Sequence, residues 1–400
     1  MMPARHLAAA GLLALFLASA AIAQHEGHGQ PSPKPRAPAR ELGTSAAFAP
    51  DGRLWLARKD DRFVIVQHSD DEGRQWSDPR RVNEVPEAVA ADGENRPKIA
   101  FTAGGEVLVS WTRPLATPYT GEIRLARSAD GQRFSPPITV HRDRSEITHR
   151  FESLAVGADG RLLVAWIDKR DLEAAKGGPE AYRGAAIYAA VSTDGGQTFA
   201  PEQKVADHSC ECCRIAVATD RDGATLLLWR HVFAPNERDH AIARLGADGK
   251  AERVDRATFD RWQVDACPHH GPALAVDPAG IRHAVWFNQK NGEGRVFYGR
   301  LVPTATGTRV DGQRPVGGPR AAHADLVVAG GRLAIAWKEF DGERTRLHAL
   351  VSGDGGNTFA SHALAATDGA SDQPRLLVRG NAIFAFWRTE NESFRVIPLP

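Results

Sequence analysis

The sequence predicts an all-β propeller of seven blades, each a four-stranded antiparallel sheet. Three observations predict it. A six-residue step from a turn glycine to a tryptophan recurs: Gly105 to Trp111, Gly160 to Trp166, Gly223 to Trp229, Gly280 to Trp286 and Gly331 to Trp337. The step returns about every 50 to 60 residues, the period of a propeller blade. The composition, with 38 Gly, 25 Pro and 2 Met in 400 residues, favours many turns over long helices.

In chain order, Arg5 and His6 form a short basic start, Leu7 to Ile22 is apolar and small, and Ala21-Ile22-Ala23 supplies an A-x-A cleavage site. Residues 1–23 are therefore expected to be a signal peptide. The apolar stretch is short for a membrane anchor, and no later segment reads as a bilayer span. Export implies the periplasm of a Gram-negative cell, an oxidising compartment. Residues 24–43 read as a disordered Pro-rich linker. Its His25, Glu26 and His28 offer loose metal donors, though a solvated tether is the simpler reading. The formal charge of +1, with 42% hydrophobic and 25% charged residues, describes a globular chain. It gives no sign of nucleic acid or an anionic membrane as partner.

The propeller is expected over residues 44–400. Its first unit, Gly52 to Arg58, keeps the six-residue step and loses the tryptophan. The last places Asn381 before Trp387, and Asn tolerates a left-handed turn conformation nearly as well as Gly. Seven units give seven blades; six, with the first or last unit merged into one closing blade, is the alternative. The last unit, from Gln373, is short of its outermost strand, and residues near Glu41 are expected to supply it. Alternation in strands such as Leu162-Leu163-Val164-Ala165-Trp166 suits sheets packed between neighbouring blades.

A second turn signature, S-x-D-x-G-x-x-W/F, falls between later strands. It reads Ser69-Asp70-Asp71-Glu72-Gly73-Arg74-Gln75-Trp76, Ser192-Thr193-Asp194-Gly195-Gly196-Gln197-Thr198-Phe199 and Ser352-Gly353-Asp354-Gly355-Gly356-Asn357-Thr358-Phe359. Ser128-Ala129-Asp130-Gly131-Gln132-Arg133-Phe134 is one residue shorter. The Asp carboxylate satisfies turn amides, Gly takes positive φ and the aromatic tucks beneath. These turns resemble the Asp boxes (BNR repeats) of the sialidase-like propellers, and the resemblance covers essentially all of residues 44–400. It implies the fold and says little of function, because such turns are structural.

Classical sialidases have six blades, bind a carboxylate with three arginines, attack with a Glu-activated Tyr and use an Asp as acid/base. By that resemblance Arg96, Arg150 and Arg214 would be the arginines and Asp168 the acid. None of Tyr119, Tyr182, Tyr188 and Tyr298 stands at the start of a late inner strand beside a Glu, and the family's arginine motif with Ile-Pro near the mature start is absent. Glycoside hydrolysis is therefore the runner-up, and a non-catalytic sugar- or protein-binding propeller is the third reading. The insertion from Ile167 to Gly184 is read as a solvated loop, or a short helix or lid over the axis.

The leading functional reading is a metal site. At the heads of consecutive inner strands, equivalent positions carry Glu94 and Asn95, His149 and Arg150, Cys212 and Cys213, and His269 and His270. Rotational repetition should turn these toward one axial opening. The 4 cysteines fall in two short segments, Cys210-Glu211-Cys212-Cys213 and Cys267-Pro268-His269-His270. Thiolates and imidazoles from neighbouring blades form a soft donor set suited to copper(I), with zinc second. The candidate ligands are Cys210, Cys212, Cys213, Cys267, His269, His270 and His149, with His208 as a further candidate. Two disulfides and no metal is the competing reading for an exported chain with an even cysteine count. Copper handling implies a metal-transport protein of the periplasm or outer membrane as partner.

Overall fold

A computed structural model describes residues 41–400, apart from 179, 180, 267, 291 and 292. The expected signal peptide and residues 24–40 of the expected linker lie outside the described residues. Seven antiparallel sheets follow one another along the chain, each ordered from its first strand to its last. The first strands are Thr44–Phe48, Lys98–Phe101, His149–Val156, Ala216–Thr219, Ala273–Val276, Ala321–Ala329 and Arg375–Arg379. Six sheets have four strands and the seventh has three. The insertion after Trp166 holds one short helix, Arg170–Ala174.

The core is divided into wedges between blades. Each of seven apolar clusters draws its residues from two neighbouring blades: Trp55 with Trp111, Trp166 with Leu108, Trp229 with Ile187, Trp286 with Leu228, Trp337 with Val285, Trp387 with Ala336, and Leu54 with Phe384. This explains the alternating strands, because both faces of every sheet are covered. The recurring glycines Gly52, Gly105, Gly160, Gly223 and Gly280 all have φ between 79° and 88°, so the six-residue step marks a genuine left-handed turn. In the last unit the left-handed residue is Gly380 (φ 58°), one position before Asn381. The expectation that Asn381 takes this role is corrected: a glycine was available next to it.

The second signature has one geometry in four blades. Ser192 Oγ donates to Asp194 Oδ1 (2.7 Å) and accepts the N–H of Gly196 (2.9 Å), while Asp194 Oδ1 accepts the amides of Gln197 and Thr198. Ser69, Ser128 and Ser352 repeat the Ser–Asp contact with Asp71, Asp130 and Asp354. Gly131 is required twice over: its φ is 72°, and a Cβ there would collide with the ring of Trp55 on the preceding blade.

The ring does not close as the sequence suggests. Among the described residues no strand pairs with the outer edge of Ser393–Pro398, and the seventh sheet stays three-stranded. Residues near Glu41 lead instead into the inner strand of blade 1. Gly43 packs so tightly on Ala91 that a Cβ would approach its carbonyl oxygen to 2.7 Å, which holds this segment on the axial side. Closure is made by side chains. Arg96 of blade 2, buried, donates to Asp372 Oδ2 of blade 7 (2.6 Å) and to Thr44 O of blade 1 (2.9 Å). Asp372 Oδ2 also accepts the Thr44 N–H (3.0 Å), and Arg388 donates to Thr44 Oγ1 (2.9 Å). Phe48 packs tilted against Phe384, and Trp76 meets Phe394 edge-on, across the same seam.

The Arg96–Asp372 pair is fully enclosed, so removing one partner strands a buried charge. Asp372→Ala is expected to lower stability by about 3–5 kcal/mol in urea unfolding. A change of a few tenths would show that the seam does not depend on this pair.

Candidate metal centre

The heads of the inner strands converge as the repeat requires. Glu94, buried at blade 2, accepts the N–H of Arg214 at blade 4 (2.8 Å) and of Gly271 at blade 5 (3.0 Å). Asn95 Oδ1 accepts the Phe151 N–H of blade 3 (3.2 Å). Arg214 donates onward to Pro272 O and Ala324 O, both at 2.7 Å, reaching blades 5 and 6. The residues beside Cys213 and His270 therefore face one axis.

Cys210, Cys212 and Cys213 lie where blade 3 hands over to blade 4, and all three are buried. Backbone pairing fixes the approach: Val232 N donates to His208 O (2.7 Å), Ser209 bridges His231, and Cys210 N donates to Arg230 O (2.9 Å). Glu211 points away and pairs with Lys169 (2.5 Å). The three Sγ atoms lie within 4.8 Å of one another, with Cys210–Cys212 at 3.8 Å and Cys212–Cys213 at 4.0 Å. These gaps are far longer than an S–S bond of about 2.05 Å, so the trio is not bridged within itself. An ion about 2.3 Å from each sulfur would hold them roughly 3.8 Å apart in tetrahedral and roughly 4.0 Å apart in trigonal coordination. The observed spacing fits either.

Arg238 Nη1 lies 3.6 Å from Cys210 Sγ. Contact with Cys210 pushes the Cys213 thiol well above its ordinary range; burial adds to this, and Cys212 and Arg230 oppose it. In this state the Cys213 thiol keeps its proton. The tryptophans of five other blades give their indole N–H to Glu87, Asp168, Asp260, Glu339 or Asp372 O. Among the described residues Trp229, in the same apolar cluster as the three cysteines, has no acceptor, and neither do Arg230 Nε and Arg238 Nε, as is also true of Trp55 Nε1 and of the Nε of Arg58, Arg113 and Arg124 in other blades.

Other expected residues lie elsewhere. Cys267 is outside the described residues. His149 is not with the sulfurs: it stacks on His141 at 3.9 Å, with Nε2 3.6 Å from Asp168 and 3.8 Å from Asp143. His208 packs on Tyr182. His269 is exposed, and His270 is stacked between Phe287 and His323, both at 4.2 Å. Among the described residues the cysteine trio is the one group of three or more metal-type donors this close together. Asp168 is buried, accepting from Trp166 and Arg170. Arg96 and Arg214 are committed to internal partners, while Arg150 pairs with Asp92 (3.0 Å) and lines a cavity of about 660 Å³ with Lys59, Asp61 and Arg62. Arg230 and His323 stand out in the sequence only as a charged and an imidazole residue at otherwise apolar strands, and Arg238 lies inconspicuously in the polar segment Asn236-Glu237-Arg238-Asp239.

No family model and no curated protein matches the sequence. Among solved structures the chain is similar to a Dyadobacter fermentans protein of unknown function, with 13% identity, TM-score 0.55, and coverage of 90% of this chain and 98% of that one. It is also similar to a polysaccharide lyase described as an ulvan lyase, with 10% identity, TM-score 0.57, and coverage of 90% and 92%. A Streptococcus pneumoniae sialidase covers 75% of this chain and 65% of its own at 10% identity and TM-score 0.47. At these identities the likeness is one of fold.

His270 is held down to about 4, chiefly by burial, with Arg230 and Lys338 acting with it against Glu94. His323 is pushed well below its ordinary value of 6.5, again chiefly by burial. In the unfolded chain both take up protons below about 6.5. The native state therefore binds fewer protons over that window, and stability falls as pH drops from about 6.5 towards 4. The urea midpoint should fall over this range, and more shallowly in His270→Gln. Equal slopes would remove His270 from the account.

Proposed function

We propose that this propeller binds a soft metal ion, copper(I) before zinc, through Cys210, Cys212 and Cys213, and serves in metal handling or delivery outside the cytoplasm. The observation that carries this reading is the buried sulfur trio at coordination spacing. Three thiolates around a monovalent ion leave net negative charge, which Arg230 and Arg238 offset. Thiolate is the donor that selects copper(I), since carboxylate and water suit harder ions. Enclosure of all three sulfurs fits holding an ion better than turning over a substrate. A transport protein of the periplasm or outer membrane is the partner such a role requires.

A second reading rests on a different place. The cavity beside Arg150 sets Lys59, Asp61, Arg62 and Asp92 beside the apolar Ala88, Val89, Ala90 and Pro114. It would suit a sugar or peptide bound without catalysis, because Arg96, Arg214 and Asp168 are engaged within the protein. Hydrolysis of a fluorogenic sialoside by the purified chain would reverse that judgement.

Competition titration of the reduced chain with copper(I) should give one tightly held ion. The double variant Cys212→Ser/Cys213→Ser should lose at least roughly 100-fold in affinity with little change in urea midpoint. Loss of stability with unchanged binding would favour a disulfide role. Because the thiols give up protons on binding, affinity should weaken roughly tenfold per pH unit of acidification for each proton displaced. A flat pH profile would exclude thiolate ligation.

A further inference from the structure

We propose that Arg238, with Arg230 behind it, sets the charge of the ion that the three cysteines retain, selecting a monovalent soft ion over a divalent one; the proposal rests on the metal reading above. Arg238 Nη1 is 3.6 Å from Cys210 Sγ. The contact is made from a fixed backbone. Arg238 N–H donates to Trp262 O (2.7 Å), His231 N–H donates to Asp239 O (2.7 Å), and Phe233 and Glu237 exchange two backbone bonds (2.8 Å each). These bonds shape residues 231–239, the turn between strands Thr225–Arg230 and His240–Leu245 of blade 4. The turn lies beside the cysteine segment, where Cys210 N–H donates to Arg230 O (2.9 Å) and Val232 N–H to His208 O (2.7 Å).

Arg230 is the second cation. Three arginines are buried among the described residues: Arg96, Arg214 and Arg230. Arg96 pairs with Asp372, and Arg214 with Glu94 and Asp325. Arg230 has no carboxylate partner among the described residues. Its four hydrogen bonds go to neutral oxygens: Arg238 O (3.1 Å), Asn288 Oδ1 (3.4 Å), His270 O (3.1 Å) and Phe287 O (2.5 Å). Asp239 reaches it only through the amide of Asn288, and that carboxylate is paired with Arg256, as is Glu237. Arg238 is likewise outside every ion pair among the described residues, and its guanidinium meets sulfur instead. Glu211, inside the cysteine segment, is paired with Lys169. A buried cation without an anion is costly, and thiolates can supply the anion here. The charge of Arg230 acts on the Cys213 thiol in that direction.

Deprotonation of Cys210, Cys212 and Cys213 on binding sets three negative charges against these two positive ones. A monovalent ion brings the enclosed group to zero. A divalent ion leaves it with one positive charge, which is costly because all three sulfurs are buried. Softness alone does not draw this distinction, since thiolate ligates both copper(I) and zinc. The sign of the effect follows from Coulomb's law. Either ion displaces the same thiol protons, so the loss of a guanidinium weakens the thiolates equally in both complexes and cancels in the ratio of affinities. The repulsion between guanidinium and ion does not cancel, because it is twice as large for the divalent ion. Removing the charge of Arg238 therefore moves the ratio towards the divalent ion.

The test is competition titration of the full reduced chain with copper(I) and silver(I), both monovalent, and with zinc(II) and cadmium(II), both divalent. Arg238→Gln should lower the ratio of monovalent to divalent affinity by at least roughly tenfold, whichever ion of each charge is compared. Arg238→Lys, which keeps the charge, should stay near the wild-type ratio. The ratio of copper(I) to silver(I) affinity should be the same in every chain, because the site reads charge. Among the described residues the Arg238 side chain makes no hydrogen bond besides the one to sulfur, so its replacement spares the bonds of the fold. Arg238→Met gives the same measurement if Arg238→Gln does not fold. An unchanged monovalent-to-divalent ratio in the charge-free variants, an equal shift in Arg238→Lys, or a copper-to-silver ratio that moves as far overturns the proposal while the cysteine reading stands. A wild-type chain that holds no ion, or a Cys212→Ser/Cys213→Ser chain that binds as well as wild type, overturns both readings.

Discussion

The carboxylate of Glu94 accepts backbone N–H groups from the heads of two inner strands, at Arg214 and Gly271, that belong to other blades. A propeller crowds the starts of its inner strands into the narrow end of every wedge, where few waters can satisfy exposed amides. Here side chains take over that task. Glu94 joins blade 2 to blades 4 and 5, Arg214 continues to blade 6, Asp325 accepts the Leu376 amide of blade 7 (2.9 Å), and Arg96 ties blade 7 to blade 1. Each buried charge is neutralised by its neighbour, so the network behaves as a unit. The Cys210–Cys213 turn sits directly against it, because Arg214 is the next residue in the chain.

That arrangement accounts for the character of blade 4. Among the described residues its tryptophan lacks the acceptor that the tryptophans of blades 2, 3, 5, 6 and 7 have, and Arg230 and Arg238 belong to the same blade. Unsatisfied donors in a dry interior cost stability. The same blade therefore departs from the repeat in two ways at once, in its sulfur content and in its unspent hydrogen-bonding capacity.

Much of the architecture was legible in the sequence because it depends on local rules. Gly105, Gly160 and Gly223 are glycines because their backbones need positive φ, and the Ser–Asp turns satisfy their own amides, so both leave fixed spacings. Blade number and the shared facing of Glu94, Cys213 and His270 followed from the same period. What was not legible depends on contacts between distant segments. The role of Asp372 in closing the ring cannot be read from its neighbours, nor can the loss of His149 to Asp168 and Asp143. Equivalent backbone positions carry their side chains to different partners, because a wedge fixes the strand and not the rotamer.

The three-stranded last sheet has a further consequence. Propellers whose terminal blade is built from both chain ends lock the circle with a backbone ladder; this one is latched by rings and charged groups between blades 7 and 1, with only Leu54, Leu377, Phe384 and Phe386 as its fully enclosed apolar residues. The circle can part along that radius without breaking any strand pairing. Thermal opening should therefore begin there, diametrically removed from blade 4, and the sector that holds the three cysteines can keep its shape while the latch breathes.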